Sequence, residues 1–287
     1  MEQAYWQCVR VQELVLVARK YKSVVNELLK NLEDAQQAGM APLNDVLKAQ
    51  VKYNDALLQL QQAEHGKQLA QMNLCRLVGL DLNTELVLTD SLSATITPGV
   101  LALPDGLEQR PDYNILEKQV DMKRKEINVT RADFLPQVGV SAGYGYGGGL
   151  KLNGDDSNSG SFSAMASVAI PIFNWGEKRQ YVKQNRAMET SKELAMSKVE
   201  DQVKEELANA WVKLNENWKQ VEIANSTLEI ARENLKLNTF SYNEGKLPIL
   251  DVLSSQATWL QAYTNVVSAN YQYKVAYAEY VRILGGR

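Results

Sequence analysis

Along residues 39–79, and again along 245–285, apolar or small residues return at alternating steps of three and four. The first set is Val46, Ala49, Tyr53, Ala56, Leu60, Ala63, Lys67, Ala70, Leu74 and Leu77; the second is Val252, Ser255, Trp259, Ala262, Val266, Ala269, Tyr273, Ala276, Tyr280 and Ile283. A mean spacing of about 3.5 residues keeps one seam of a helix facing a neighbour, so both stretches predict coiled-coil helices. At ~1.5 Å per residue each is about 55 Å long. The stretch before each set is helical too. No proline or glycine occurs from Glu177 to Glu244, where Leu214, Trp218, Val221, Ala224, Leu228, Ala231 and Leu235 keep the same steps. Its counterpart carries Ala18, Val25, Leu29 and Leu32. Gly39 and Gly245 predict left-handed helix ends, and Pro42 and Pro248 predict the starts of the helices that follow. Two long helical hairpins with tight tips result.

The two sets are copies of one another. Shifted by 206 positions, the segments align without a gap and 11 of 41 positions are identical, among them the tip residues Gly39/Gly245 and Pro42/Pro248 and the triplets Asp45-Val46-Leu47 and Asp251-Val252-Leu253. So long a period implies a duplicated half rather than a solenoid array. The helix that opens near Glu177 would have a counterpart opening 29 positions before Met1, so the chain is expected to begin inside a helix and to lack the start of its first repeat.

Between the copies the pattern changes. Residues 80–110 are weakly periodic, with turns expected at Pro98, Gly99, Pro104 and Gly106, and an amphipathic helix is expected over 111–133. Two segments of strict alternation follow. In one, Val138, Val140, Ala142, Tyr144 and Tyr146 alternate with Gln137, Gly139, Ser141, Gly143 and Gly145; in the other, Phe162, Ala164, Ala166, Val168, Ile170 and Ile172 alternate with small or polar residues. A polar loop, GGGLKLNGDDSNSG, joins them. A soluble sheet shows such alternation, and so does a membrane β-barrel strand with aromatics near both interfaces and a polar lumen. Phe134, Phe173 and Trp175 flank one end of the segments, and Tyr144, Tyr146 and Phe162 the other, which favours the membrane hairpin.

Composition narrows the chemistry. The 287 residues carry 31 Lys+Arg against 34 Asp+Glu, so no basic field exists to hold a nucleic-acid backbone. One histidine, His65, and two cysteines, Cys8 and Cys75, give neither a zinc-ligand nor a dithiol spacing, so no metal site is expected and both cysteines read as packing residues. No Gly-rich phosphate loop and no nucleophile paired with a base occur, so neither catalytic residues nor a cofactor are expected. No apolar run reaches the ~18 residues of a spanning helix, and Glu2 and Glu13 stand where a signal peptide would be uncharged.

The segments FLPQVGVSAGYGYG, VAIPIFNWGEKR and RPDYNILEKQV, with the two tips of form G-x-x-P-x-x-D-V-L, together resemble the TolC-like outer-membrane efflux proteins. The resemblance implies a mainly α fold: long antiparallel coiled-coil hairpins forming part of an α-barrel, plus two strands of a membrane β-barrel. It divides the chain into a first hairpin over 1–79, a connector over 80–110, a helix over 111–133, a β-hairpin over 134–174 and a second hairpin over 175–287. Further implications are a homotrimer in outer-membrane lipid, with its helices in the periplasm of a Gram-negative bacterium. Its partners would be a periplasmic adaptor and an inner-membrane transporter. The channel would be a passive exit duct opening at its tips. A soluble coiled-coil scaffold with a β cap is the alternative.

The resemblance also assigns roles. Asp251 falls on one acidic position of the closed aperture, while the next falls on Ser254. Tyr242 falls on a latch tyrosine facing Asp45, with the latch arginine replaced by Leu247. Asp45 and Asp251 equally suit first-turn acids beside a helix N-terminus, and Tyr242 equally suits a seam position. The adaptor would dock on Gly39, Met40, Pro42, Leu43, Gly245, Lys246, Leu247 and Pro248. Trp211, Trp218, Trp259 and the tyrosines at 263, 271, 273, 277 and 280 read as packing, and His65 as solvated.

Overall fold

The computed structural model describes residues 1–92, 110–149, 157–173 and 175–285. The expected turns at Pro98, Gly99, Pro104 and Gly106, and the centre of the polar loop, lie outside these residues. In chain order the elements are α1 (Glu2–Gln37), α2 (Leu43–Val78), α3 (Pro111–Ala132), β1 (Gln137–Gly149), β2 (Ser157–Ala169), α4 (Glu177–Asn243) and α5 (Ile249–Ile283). The fold is mainly helical with one antiparallel strand pair, as the periodicities predict. Two compact units emerge, one of Met1–Asp105 with Lys204–Arg287 and one of Gly106–Val203, so the two repeated tips share a unit.

In the first unit, α1 packs against both α2 and α5. Its expected positions Ala18, Val25, Leu29 and Leu32 are buried, and so are Cys8, Val9, Val15, Val17 and Tyr21. The C-terminal part of α4 meets α5 through Leu207, Leu214, Val221, Ala269, Tyr273, Ala276 and Tyr280. Every expected seam position of α5 is buried except Val266, whose neighbour Val267 takes the inward place. On α2 the seam is shallower. Ala49, Ala56 and Leu74 are fully buried, whereas Leu77 is exposed and the rest are half-buried. The cause is position: α1 is covered on two flanks, while α2 packs chiefly on α1 and leaves Leu47, Val51, Leu58 and Leu69 uncovered.

Both helix ends at the tips adopt one geometry. Gly39 and Gly245 have φ of +74° and +70°, a region costly to residues with a Cβ. The Gly39 N–H donates to the Gln36 carbonyl at 3.0 Å and the Met40 N–H to that of Ala35 at 2.8 Å. In the second tip Gly245 donates to Tyr242 at 2.8 Å and Lys246 to Ser241 at 2.9 Å, so the duplicated glycines close identical Schellman motifs. The prolines sit one place earlier than expected. Pro42 and Pro248 are N-caps in extended conformation, and their carbonyls accept the Asp45 and Asp251 N–H at 3.0 and 3.1 Å.

The second unit holds α3, the strand pair and the start of α4. Arg124 on α3 bonds Glu189 and Glu193 of α4 at 3.1 and 3.3 Å, and Asn185 donates to Thr130 at 2.6 Å. The strands are longer at their connected ends than the alternation alone suggests, taking 147–149 and 157–160 from the expected loop. At the other end β2 stops at Ala169, before Ile170 and Ile172. Pro171 has no N–H to offer a ladder there.

Candidate functional site

The strand register decides what the hairpin presents. Val138 pairs with Val168, Val140 with Ala166, Ala142 with Ala164 and Tyr144 with Phe162, so the apolar sets of both strands fall on one face. On the other face glycines of β1 oppose serines of β2: Gly139 with Ser167, Gly143 with Ser163 and Gly145 with Ser161. Those three serine hydroxyls donate to the opposing glycine carbonyls at 3.4–3.5 Å, which satisfies them within the hairpin. Tyr144 lies across Gly160, where an added Cβ would clash with its phenol. Among the described residues nothing covers the apolar face: Val140 is 80% exposed and Phe162 72%.

The six expected interface aromatics separate into two levels. Tyr144, Tyr146 and Phe162 are exposed in the row just described. At the opposite end Phe173 and Trp175 meet edge to face at 4.9 Å between centroids, and half-buried Phe134 leans on Tyr181 at 6.4 Å. Trp175 has φ of +43°, unusual for a bulky residue, and its ring stands 90% exposed.

The second candidate region is the pair of tips. They lie side by side and enclose a cleft of about 420 Å³ whose lining includes Met40, Pro42, Asp45, Tyr242, Leu247 and Pro248. Beneath it Leu28, Leu29, Leu32, Ala49, Ile249, Val252 and Leu253 form one buried cluster. Met40 is 79% exposed, and Leu43, Lys246 and Pro248 are also exposed, so the expected docking residues are accessible.

Tyr242 and Asp45 share the cleft. Burial, and then the Asp45 charge, push the Tyr242 phenol above its ordinary pKa. No hydrogen bond joins the two among the described residues. Asp45 instead accepts Lys48 Nζ at 3.3 Å, one helical turn away. Asp251 is half-buried in the first turn of α5 and does not line the cleft.

Sequence reasoning passed over three arrangements. The α1–α2 hairpin brings Cys8 and Cys75 together although they are 67 positions apart. Burial raises the Cys8 pKa and Cys75 adds to the rise. Around Lys274, 6% exposed, Trp6 offers its ring at 5.1 Å, while Tyr5 donates to Asp90 at 2.5 Å. Lastly, a groove beside the start of α4 gathers basic side chains. The run EKRQYVKQNR was the visible signal for it.

Among the described residues no group of three or more His, Cys, Asp or Glu could hold a metal ion, and no helix is long and apolar enough to cross a membrane. The latter says nothing of a β-barrel. A family model described as outer membrane efflux protein matches residues 102–286. The chain belongs to the outer membrane efflux protein family. Among its relatives, alkaline protease secretion protein AprF of Pseudomonas aeruginosa is 25% identical over 96% of the chain, and nodulation protein T of Rhizobium leguminosarum bv. trifolii 25% over 64%. The chain spans 58% and 39% of the lengths of these two proteins. The open-state MtrE outer membrane channel of Neisseria gonorrhoeae superposes with a TM-score of 0.75 at 20% identity, covering 99% of the chain and 64% of MtrE. The fold is therefore that of the TolC-like efflux channels.

Proposed function

We propose that this efflux-family chain is the channel-forming part of a trimeric exit duct in the outer membrane, a passive conduit that opens at its helical tips. The observation that carries the reading is the strand register, which gathers the strand aromatics Tyr144, Tyr146 and Phe162 on one exposed face and sets glycine opposite serine in three pairs on the other. A face of that kind needs an apolar phase, and the opposite face suits a wet lumen. Exposed apolar rows on the helices support assembly. Ile223, Ile230 and Leu237 recur every seven residues along α4, and Leu47, Val51 and Leu58 follow α2. A second copy supplies the missing side of each seam.

The helices then stand in the periplasm with Met40, Leu43, Lys246 and Pro248 offered to an adaptor, which links to an inner-membrane transporter. Asp251 from three copies forms a carboxylate ring that concentrates cations. Tyr242, held in the cleft with Asp45, biases the tips closed.

Reconstitution of the complete gene product in planar bilayers tests this. Cation-selective conductance blocked by divalent ions is expected, with the block relieved in Asp251→Ala; unchanged block would sink the aperture role. Tyr242→Phe is expected to raise conductance, and no rise would count against the latch.

A further inference from the structure

We propose that the groove between the end of α3 and the start of α4 binds the phosphodiester headgroup of an anionic phospholipid. It has a volume of about 760 Å³, and Arg131, Lys178, Arg179, Lys183 and Arg186 all line it. Asp133 and Glu177, the acids nearest in sequence, are not part of the lining.

Three other cations of this unit are neutralised at short range: Arg110 by Asp112 at 2.6 Å, Lys123 by Glu126 at 2.6 Å and Arg124 by Glu189 at 3.1 Å. By contrast, none of the four groove cations on α4 has an ion-pair partner among the described residues. Their placement also runs against the helix. Two of them, Lys178 and Arg179, lie in the first turn of α4, where the macrodipole is positive and cations are disfavoured. Repulsion among five neighbouring charges and repulsion from the helix end are both relieved by a bound anion.

The surroundings select a lipid over a free anion. Leu135 and Val182 give the groove an apolar side. The exposed Phe173–Trp175 pair and the Phe134–Tyr181 contact stand at the same end of the strands, where β1 begins and β2 has ended. Aromatics beside clustered Lys and Arg are what a headgroup layer meets at the edge of a hydrocarbon core. An acyl chain could lie along the apolar hairpin face while its phosphate sits among the cations. The inference rests on reading that hairpin as membrane-spanning.

The test separates the two ideas. Calorimetric titration with soluble dihexanoyl phosphatidylglycerol, dihexanoyl phosphatidylcholine and inorganic phosphate probes the groove without any bilayer. Phosphatidylglycerol is expected to bind at least about tenfold more tightly than either, and Lys183→Gln/Arg186→Gln to remove that preference. The control Lys192→Gln/Lys198→Gln makes the same charge change farther along α4 and is expected to keep it. Equal affinity for phosphatidylglycerol and phosphatidylcholine would overturn the proposal, and so would equal affinity for phosphate or an equal loss in the control. Flotation with neutral phosphatidylcholine vesicles reads the membrane hairpin independently. If neither lipid nor vesicle is bound, both ideas fall; vesicle binding without the preference removes the groove alone.

Discussion

The helical unit and the strand pair both carry long apolar rows, yet they use them differently. On α1 and α5 the row is covered by other helices of the same chain: Val25, Val252 and Tyr280 have essentially no exposed surface. On the hairpin the row is as regular and stays exposed among the described residues. Periodicity alone therefore says that a face is apolar, and coverage says which phase receives it. Helices α1 and α5 find their partners within the chain, whereas the apolar face of the hairpin finds none among the described residues.

Substitutions break that comparison on one side at a time. Leu214→Ala, at a site with no exposed surface, is expected to cost about 2–5 kcal/mol through lost burial and the cavity left behind. Its readout is an earlier helical melting transition by circular dichroism, with vesicle association unchanged. The complementary change is Ala142→Arg, at the centre of the uncovered row opposite Ala164. Near the bilayer midplane an arginine on a lipid face costs about 2–4 kcal/mol. Vesicle association is expected to fall while helical melting in detergent stays put; the reverse result would place the row in a soluble interface.

Alkaline titration sharpens the helical side. The Asp90 hydrogen bond, followed by burial, raises the Tyr5 pKa, and burial is the first cause for Tyr21, Tyr242, Tyr273 and Tyr280. Each folded value lies above the ordinary tyrosine value of about 10. The folded state thus holds those protons more tightly, and the stability this contributes is complete below about pH 10 and lost as pH rises through the folded values. Burial lowers Lys274, partly offset by Asp90, which gives the opposite slope. Its contribution improves as pH climbs towards the ordinary lysine value of about 10.4. Urea titrations across this range are expected to show a modest gain and then a fall, with Lys274→Met removing the gain.

The smallest expected effect is Tyr280→Phe. The Tyr280 hydroxyl is buried with no hydrogen-bond partner among the described residues, and such a group costs about 1–3 kcal/mol relative to one left solvated. Removing it is expected to leave the melting temperature unchanged or slightly raised, whereas a marked loss would reveal a partner for that hydroxyl in the assembled protein.

Much of the architecture was legible in advance because its causes are local. The three-four spacing, the glycines at 39 and 245 and the alternation around Val140 and Phe162 each act within a few residues, so seams, tips and the two faces of the hairpin could be read directly. The expected pairing of Tyr242 with Asp45 was legible only in outline. The duplicated tips bring Tyr242 and Asp45 into one cleft, but Lys48 stands nearer to the carboxylate, a competition set by side-chain positions on α2.

What remained for the tertiary structure was every choice among equivalent faces. The spacing of α2 is as regular as that of α5, but α5 is packed by both α1 and α4 while α2 packs chiefly on α1, which leaves one seam deep and the other shallow. Cys8 and Cys75 come near one another because the hairpin folds back through the Gly39 turn, and the basic residues of α4 share a groove with Arg131 because α3 runs beside them. Periodicity is a property of one element and can be read along the chain. Which faces meet depends on where distant elements pack, and only the folded chain decides it.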